Sequence, residues 1–284
     1  LRVPVNVPRG EVRSLEEAKA TGAEVRPIAS PRDALCIAKA RPERPVIFHA
    51  VGFETTLAPI AALIVEGLPD NLFLLMSGRL TWPAVAMLLE SGDAGLDALI
   101  APGHVSTVMG PEEWDFVAAR HGIPTAIAGF TPDSLLAAIY SVLKQASDGQ
   151  PTCENCYTVA VKPGGNPVGR RCLAECFEIV DANWRGIGTI PRSGYTLKDR
   201  LMAHDARRHF SEESAAGRRR VGEMPPGCDC ARVVLGKIIP PECRIYGSPC
   251  TPRTPVGPCM VSDEGACRIW WASGVRERTG AVAP

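Results

Sequence analysis

"PVIFHAVGFETTLAPIAALIVEGLPDNLFLLMS" occupies residues 45–77. It joins a β-branched and apolar run, a Gly-Phe-Glu turn, a helical stretch with apolar residues three and four apart, and a second apolar run. That order predicts a strand over 45–54, a helix behind it and a strand over 71–77. Working outward, the same unit recurs around "AEVRPIA" (23–29), "DALIAPG" (97–103) and "PTAIAGF" (124–130). Repeated βα units pack as mostly parallel sheets covered by helices, so the fold class is α/β, parallel sheets with flanking helices.

Parallel α/β sheets bind ligands beyond the carboxyl ends of their strands, where loops and helix N-termini converge. Here those loops read "GFETT" (52–56), "SGRLTW" (77–82), "PGHVST" (102–107) and "GFTPDS" (129–134). Glu54 and His104 place a carboxylate and an imidazole at strand ends, suited to ligation or proton transfer. Thr55, Thr56 and Gly103 are the adjoining candidates for cofactor binding. Thr55, Ser106 and Ser134 also suit plain helix capping.

After about residue 150 the alternation stops. Charge, Pro and Gly rise in "VKPGGNPVGRR" (161–171) and "WRGIGTIPRSG" (184–194), and cysteine dominates from Cys228 onward. The expected division is 1–66 as the remainder of an N-terminal α/β domain, 67–150 as a second α/β domain, and 151–284 as a linker with a small loop-rich C-terminal iron–sulfur domain. Thirty-one basic residues balance thirty-one acidic ones, which leaves no net field to draw nucleic acid or an anionic membrane. The Arg218–Arg220 run reads as a solvated loop. No apolar stretch is long enough for a membrane span and no basic-then-apolar leader is present, which points to the cytoplasm. "LRVPVNV" (1–7) reads as a strand entered partway, with further residues expected upstream.

Eleven cysteines in a reducing compartment favour metal binding or thiol chemistry over structural disulfides. The C-terminal set is Cys228-x-Cys230-x12-Cys243-x6-Cys250-x8-Cys259-x7-Cys267. Zinc is usually held by paired CxxC knuckles and none occurs in this stretch, so the spacing favours an iron–sulfur cluster. A second set, Cys153-x2-Cys156-x15-Cys172-x3-Cys176, has near zinc-site spacing, with drift as its plain alternative. Cys36 in "PRDALCIAKA" and His49 in "VIFHAV" are expected in the core, His121 at a helix end, and His204 and His209 on the surface. Trp184 and Arg185 suit an interface or a partner contact.

Taken together, "GFETT", "PGHVSTVMG", "WRGIGTIPRSG", "PPGCDCARVVLGKIIPPEC" and "CTPRTPVGPCMVSDEGAC" resemble the HypD family of hydrogenase maturation factors, in one order along essentially the whole chain. The resemblance implies a [4Fe-4S] cluster in a C-terminal domain like that of ferredoxin–thioredoxin reductase. It implies Cys228, Cys243, Cys250 and Cys267 as cluster ligands, and Cys230 with Cys259 as an electron-relay pair. It further implies a scaffold on which iron acquires cyanide and CO, the Fe(CN)2CO unit of [NiFe]-hydrogenases. The partners would be a HypC-type chaperone and a HypE-type cyanide donor, with the hydrogenase large subunit served indirectly. Two other functions compete: a disulfide reductase of the ferredoxin–thioredoxin type, and a degenerate, non-catalytic metal-binding fragment. The chain departs from the family in lacking "CGGQTH"-like and "GPGCPVC"-like segments. It also has Thr131 in place of an acid, and Ser77-Gly78 in place of a Ser-His pair.

Overall fold

The computed structural model describes residues 15–20, 22–92, 95–184, 187–211 and 224–276. Residues 1–7, Arg185 and Arg218–Arg220 lie outside that description. Helices α1 (Leu15–Ala20) and α2 (Pro31–Ala40) precede the first βα unit. Strand β1 (Val46–Gly52) runs parallel to β2 (Leu72–Arg79), in register from Val46 opposite Leu72 to Gly52 opposite Gly78. A parallel pair needs a long crossover, which α3 (Glu54–Glu66) supplies. This helix is apolar on most sides because it is covered twice: by the sheet, and by α8 (Pro167–Cys176).

Helix α4 (Thr81–Glu90) leads to a second sheet made of β3 (Leu99–Pro102), β4 (Thr125–Ala128) and β5 (Cys153–Asn155), all parallel. Between them run α5 (Gly103–Met109), the 3-10 turn Pro111–Trp114, α6 (Asp115–His121) and α7 (Pro132–Asp148). Thr131 caps α7 by accepting a hydrogen bond from the Ser134 N–H at 3.4 Å. After α8 the chain returns to the first sheet as β6 (Phe177–Trp184) and β7 (Gly188–Leu197), giving the order β1-β2-β7-β6 with β7 antiparallel to both neighbours.

Apolar clusters pack against both sheets. Leu57, Ile60, Ile64, Leu74 and Met76 pack with Leu173, Phe177, Tyr195 and Leu197 in the first sheet. Trp114, Val117, Ile127 and Val161 fill the second. Among the described residues, no helix is long and apolar enough to cross a membrane.

The α/β expectation with flanking helices holds, and four of its strands stand where the pattern put them. Among the described residues, 23–29 pair with no strand; they carry exposed charges and Pro27, which has no N–H to give a ladder. The β6–β7 hairpin falls in what reads as linker. Between Ala182 opposite Ile190 and Val180 opposite Gly194, Asp181 faces residues 191–193. Pro191 sits in that bulge, Arg192 takes φ 51°, and its N–H donates to Asp181 Oδ1 at 2.9 Å. A division at 66/67 would separate two strands that pair along their full length, and residues 177–197 of the expected third segment complete the first sheet. Cys36 is exposed, because α2 buries Ala34, Leu35 and Ala38 instead. His49 is partly buried. His204 Nδ1 lies 2.9 Å from the Leu72 carbonyl, and His209 stacks on Phe73 at 4.1 Å, so both do packing work beyond a plain surface role.

Candidate metal centre

The cysteine-rich stretch builds its own small core. Pro and Gly keep elements short: helices Cys230–Val234, Pro258–Val261 and Ala266–Ala272 are separated by turns. Each of these helices carries one cysteine into a common centre. The sulfurs of Cys230, Cys259 and Cys267 all lie within 4.8 Å of one another. Gly265 makes the approach of the last two possible, since a Cβ there would stand 2.2 Å from the Cys259 carbonyl oxygen. Cys243 and Cys250 are buried in the same cluster and Cys228 packs against it, with Met260, Tyr246, Trp270 and Trp271 as apolar cover.

Two of the sulfurs accept backbone hydrogen bonds. The Asp229 N–H reaches Cys243 Sγ at 3.4 Å, and the Val256 N–H reaches Cys250 Sγ at 3.4 Å. Asp229 is fixed in turn by Arg244, whose backbone N–H and Nε reach its Oδ2 at 3.3 and 3.2 Å. The close thiols ionise unequally. Hydrogen bonds with Cys230 and then Cys267 favour the Cys259 thiolate, whereas hydrogen bonds with Cys230 and then Cys259 push the Cys267 thiol up.

A donor set of sulfur alone selects soft metals and iron–sulfur clusters over hard cations. N–H groups directed at sulfur stabilise the negative charge that thiolate ligation leaves on it. The six residues therefore suit a soft metal or an iron–sulfur cluster, with two thiols beyond the four such a centre uses. The tightest group combines one expected ligand, Cys267, with the expected relay pair, Cys230 and Cys259.

The second cysteine set does not gather. Cys153 lies on β5 and Cys156 just beyond it in the second sheet, whereas Cys172 and Cys176 are buried against α3 in the core of the first. Cys176 Sγ donates to the Ala61 carbonyl at 3.4 Å. Burial pushes Cys153 up to about 12 and Cys176 up to about 11. Among the described residues, Cys230, Cys259 and Cys267 are the one group of three or more metal-binding side chains whose ligand atoms converge.

The strand-end candidates part company as well. Glu54 follows β1 in the first sheet; His104 follows β3 in the second. The Glu54 carboxylate is fully buried and accepts hydrogen bonds from the Thr81 N–H at 2.7 Å and the Thr81 hydroxyl at 2.8 Å, tying α3 to the start of α4. Burial raises its pKa and the Thr81 bonds oppose the rise. His104 is exposed, with its ring edge-on to Phe130 at 4.7 Å and tilted against Tyr157 at 6.2 Å. Thr55 and Thr56 are half-buried, and Gly103 presses on the Ala128 carbonyl and the Tyr157 ring. Trp184 donates to Ser193 Oγ at 2.8 Å.

Sequence reasoning missed Glu113. Its Oε2 is buried with no hydrogen-bond partner among the described residues, and it lines a cavity of about 440 Å³ with Met109, Glu112, Gly164 and Arg170. Burial, then the charge of Glu54, pushes it up to about 8. "PEEW" (111–114) gives no sign of this, because the effect comes from what packs around the turn.

The family model for HypD, described as the hydrogenase formation hypA family, matches residues 1–274. The hydrogenase maturation factor HypD of Rhodobacter capsulatus is 39% identical over 278 residues, 96% of this chain and 72% of the relative. That of Azotobacter vinelandii is 38% identical over 293 residues, covering 100% and 74%. The Escherichia coli K12 factor is 36% identical over 275 residues, covering 95% and 71%. With its buried cysteine centre and α/β frame, this chain belongs to the HypD family of hydrogenase maturation factors.

Proposed function

We propose that this chain acts as an assembly scaffold in [NiFe]-hydrogenase maturation and passes electrons through its cysteine centre while iron acquires its cyanide and CO ligands. The observation that carries the reading is the convergence of three buried thiols, Cys230, Cys259 and Cys267, inside a core formed by six cysteines. Cys228, Cys243, Cys250 and Cys267 would hold a [4Fe-4S] cluster, which supplies one electron at a time. Cys230 and Cys259 would store a pair: their disulfide takes two electrons and two protons to give two thiols, and the reverse step releases them. Cys267 stands within reach of both sulfurs, which suits it to couple ligand and relay. The iron being built is cargo, handed on with a HypC-type chaperone and a HypE-type cyanide donor.

Single substitutions test the division of labour. Under anaerobic reconstitution the wild-type chain is expected to take up about four iron atoms with matching sulfide. Cys228, Cys243, Cys250 or Cys267 changed to Ala should lose the cluster. Cys230→Ala and Cys259→Ala should keep the iron and lose one reducible disulfide on thiol counting. Iron loss in Cys259→Ala with retention in Cys267→Ala would sink the division. Stoichiometric zinc without iron in the wild type would sink the cluster. Reduction of a thioredoxin by the loaded protein, with no effect of its removal on hydrogenase activity, would favour the disulfide-reductase function.

A further inference from the structure

Gly257 stands where no side chain fits. A Cβ at this position would lie 2.3 Å from Cys228 Sγ and 2.5 Å from Cys230 Sγ, far inside the contact distance of about 3.5–4 Å for such atoms. The backbone does not demand glycine here. Gly257 has φ −99° and ψ 156°, an extended conformation open to any residue. Gly247 and Gly227 in the same module differ, with φ of 78° and 81°. The absence of a side chain at 257 is therefore a matter of space, and the two sulfurs take that space.

The same segment touches the centre from another side. The preceding Val256 N–H donates to Cys250 Sγ, and the Gly257 carbonyl accepts from Met260 N–H at 3.1 Å, starting the turn that carries Cys259. One short stretch thus meets Cys228, Cys230 and Cys250 and leads into Cys259.

We propose that Gly257 is a positioning residue of the metal centre: its bare α-carbon lets the backbone close over Cys228 and Cys230 and holds their sulfurs together. Any side chain at 257 displaces one or both sulfurs and lowers metal occupancy. This rests on reading the cysteines as a metal centre, and its test separates the two ideas.

The experiment compares wild type, Gly257→Ala and a control, Gly169→Ala, whose new Cβ would meet its nearest neighbours at an ordinary 3.6 Å. Iron is counted after anaerobic reconstitution of the full chain. In parallel, the metal-free proteins are titrated with phenylarsine oxide, which bridges two adjacent thiols. Gly257→Ala should retain half the iron or less and bind the arsenical about tenfold more weakly, with the control unchanged on both counts. Wild-type iron content and arsenical affinity in Gly257→Ala overturn the proposal. If the wild type itself takes no iron, the cluster reading fails, and the titration alone decides Gly257.

General misfolding is separated from crowding by adding Cys230→Ala. Removing that sulfur relieves the 2.5 Å clash and gives Cys228 Sγ space to withdraw from the 2.3 Å one, so the Gly257→Ala penalty should shrink in part in the Cys230→Ala background. Penalties on iron content that simply add, with no coupling between 257 and 230, overturn the proposal.

Discussion

Glu113→Gln turns the buried carboxylate into a stability measurement. Burial and the neighbouring Glu54 charge raise Glu113 from an ordinary 4.5 to about 8, while Arg170 pulls the other way. A carboxyl raised in this sense keeps its proton in the folded chain over a range in which the unfolded chain has released it. Stability is therefore fully present below about pH 4.5, falls as pH rises through the window to about 8, and is level above it. With about 1.4 kcal/mol per pH unit, the rise from 4.5 to about 8 sets a ceiling of about 5 kcal/mol. Glu113 is partly exposed and opens on a cavity, so water and local relaxation reduce the expected cost to about 2 kcal/mol. The glutamine amide is of the same size and cannot ionise. Urea unfolding of both proteins at equal metal loading should therefore give similar stabilities near about pH 4.5. The variant should be more stable by about 2 kcal/mol near about pH 8.5. Taking the difference between the two proteins cancels the pH dependence of the cysteines. A difference that does not change with pH, or a variant that loses ground as pH rises, would refute the linkage.

Two further outcomes follow from buried polar groups and buried sulfur. Glu54→Ala leaves the Thr81 N–H without its acceptor and should cost about 2–4 kcal/mol, whereas Glu54→Gln keeps an acceptor there and should cost less than half as much; equal losses in thermal unfolding would show that volume alone matters. Changing Cys153, Cys156, Cys172 and Cys176 together to Ala should leave zinc and iron content unchanged and cost about 1 kcal/mol at each of the buried Cys172 and Cys176 positions. Loss of one zinc per chain would show that the four gather after all.

The legible parts of the chain are those whose signal is local. β1 and β2 are continuous apolar runs flanked by turns, and the helix between them is long enough for the crossover. The density of the six C-terminal cysteines is legible as a candidate metal centre, and three of their sulfurs converge. The sequence is silent where the outcome depends on distant neighbours. The β6–β7 hairpin breaks its own pattern at Pro191 and Arg192, and its place beside β2 is settled by Gly78 opposite Tyr195. Cys153, Cys156, Cys172 and Cys176 have plausible spacing, yet the pairs belong to different sheets. Gly257 reads like any loop glycine until the two sulfurs beside it are seen.

The glycine at the end of β2, Gly78, makes physical sense as packing. A Cβ on Gly78 would lie 3.0 Å from Leu57 and 3.2 Å from Tyr195, so a side chain as large as histidine needs both to withdraw. Leu57 and Tyr195 are themselves buried core residues, on α3 and on the strand paired with β2. Glu54, one turn before Leu57 on α3, is closed in with them and spends both carboxylate oxygens on Thr81. A carboxylate so enclosed cannot touch a ligand arriving from solvent; it can act on one only by fixing α3 against α4. His104 is placed in the opposite way, on the second sheet, exposed, with aromatic rings on two sides that restrict its orientation. The two strand-end residues that sequence pairs as a chemical couple are thus unequal: His104 is open to solvent, and Glu54 holds the frame.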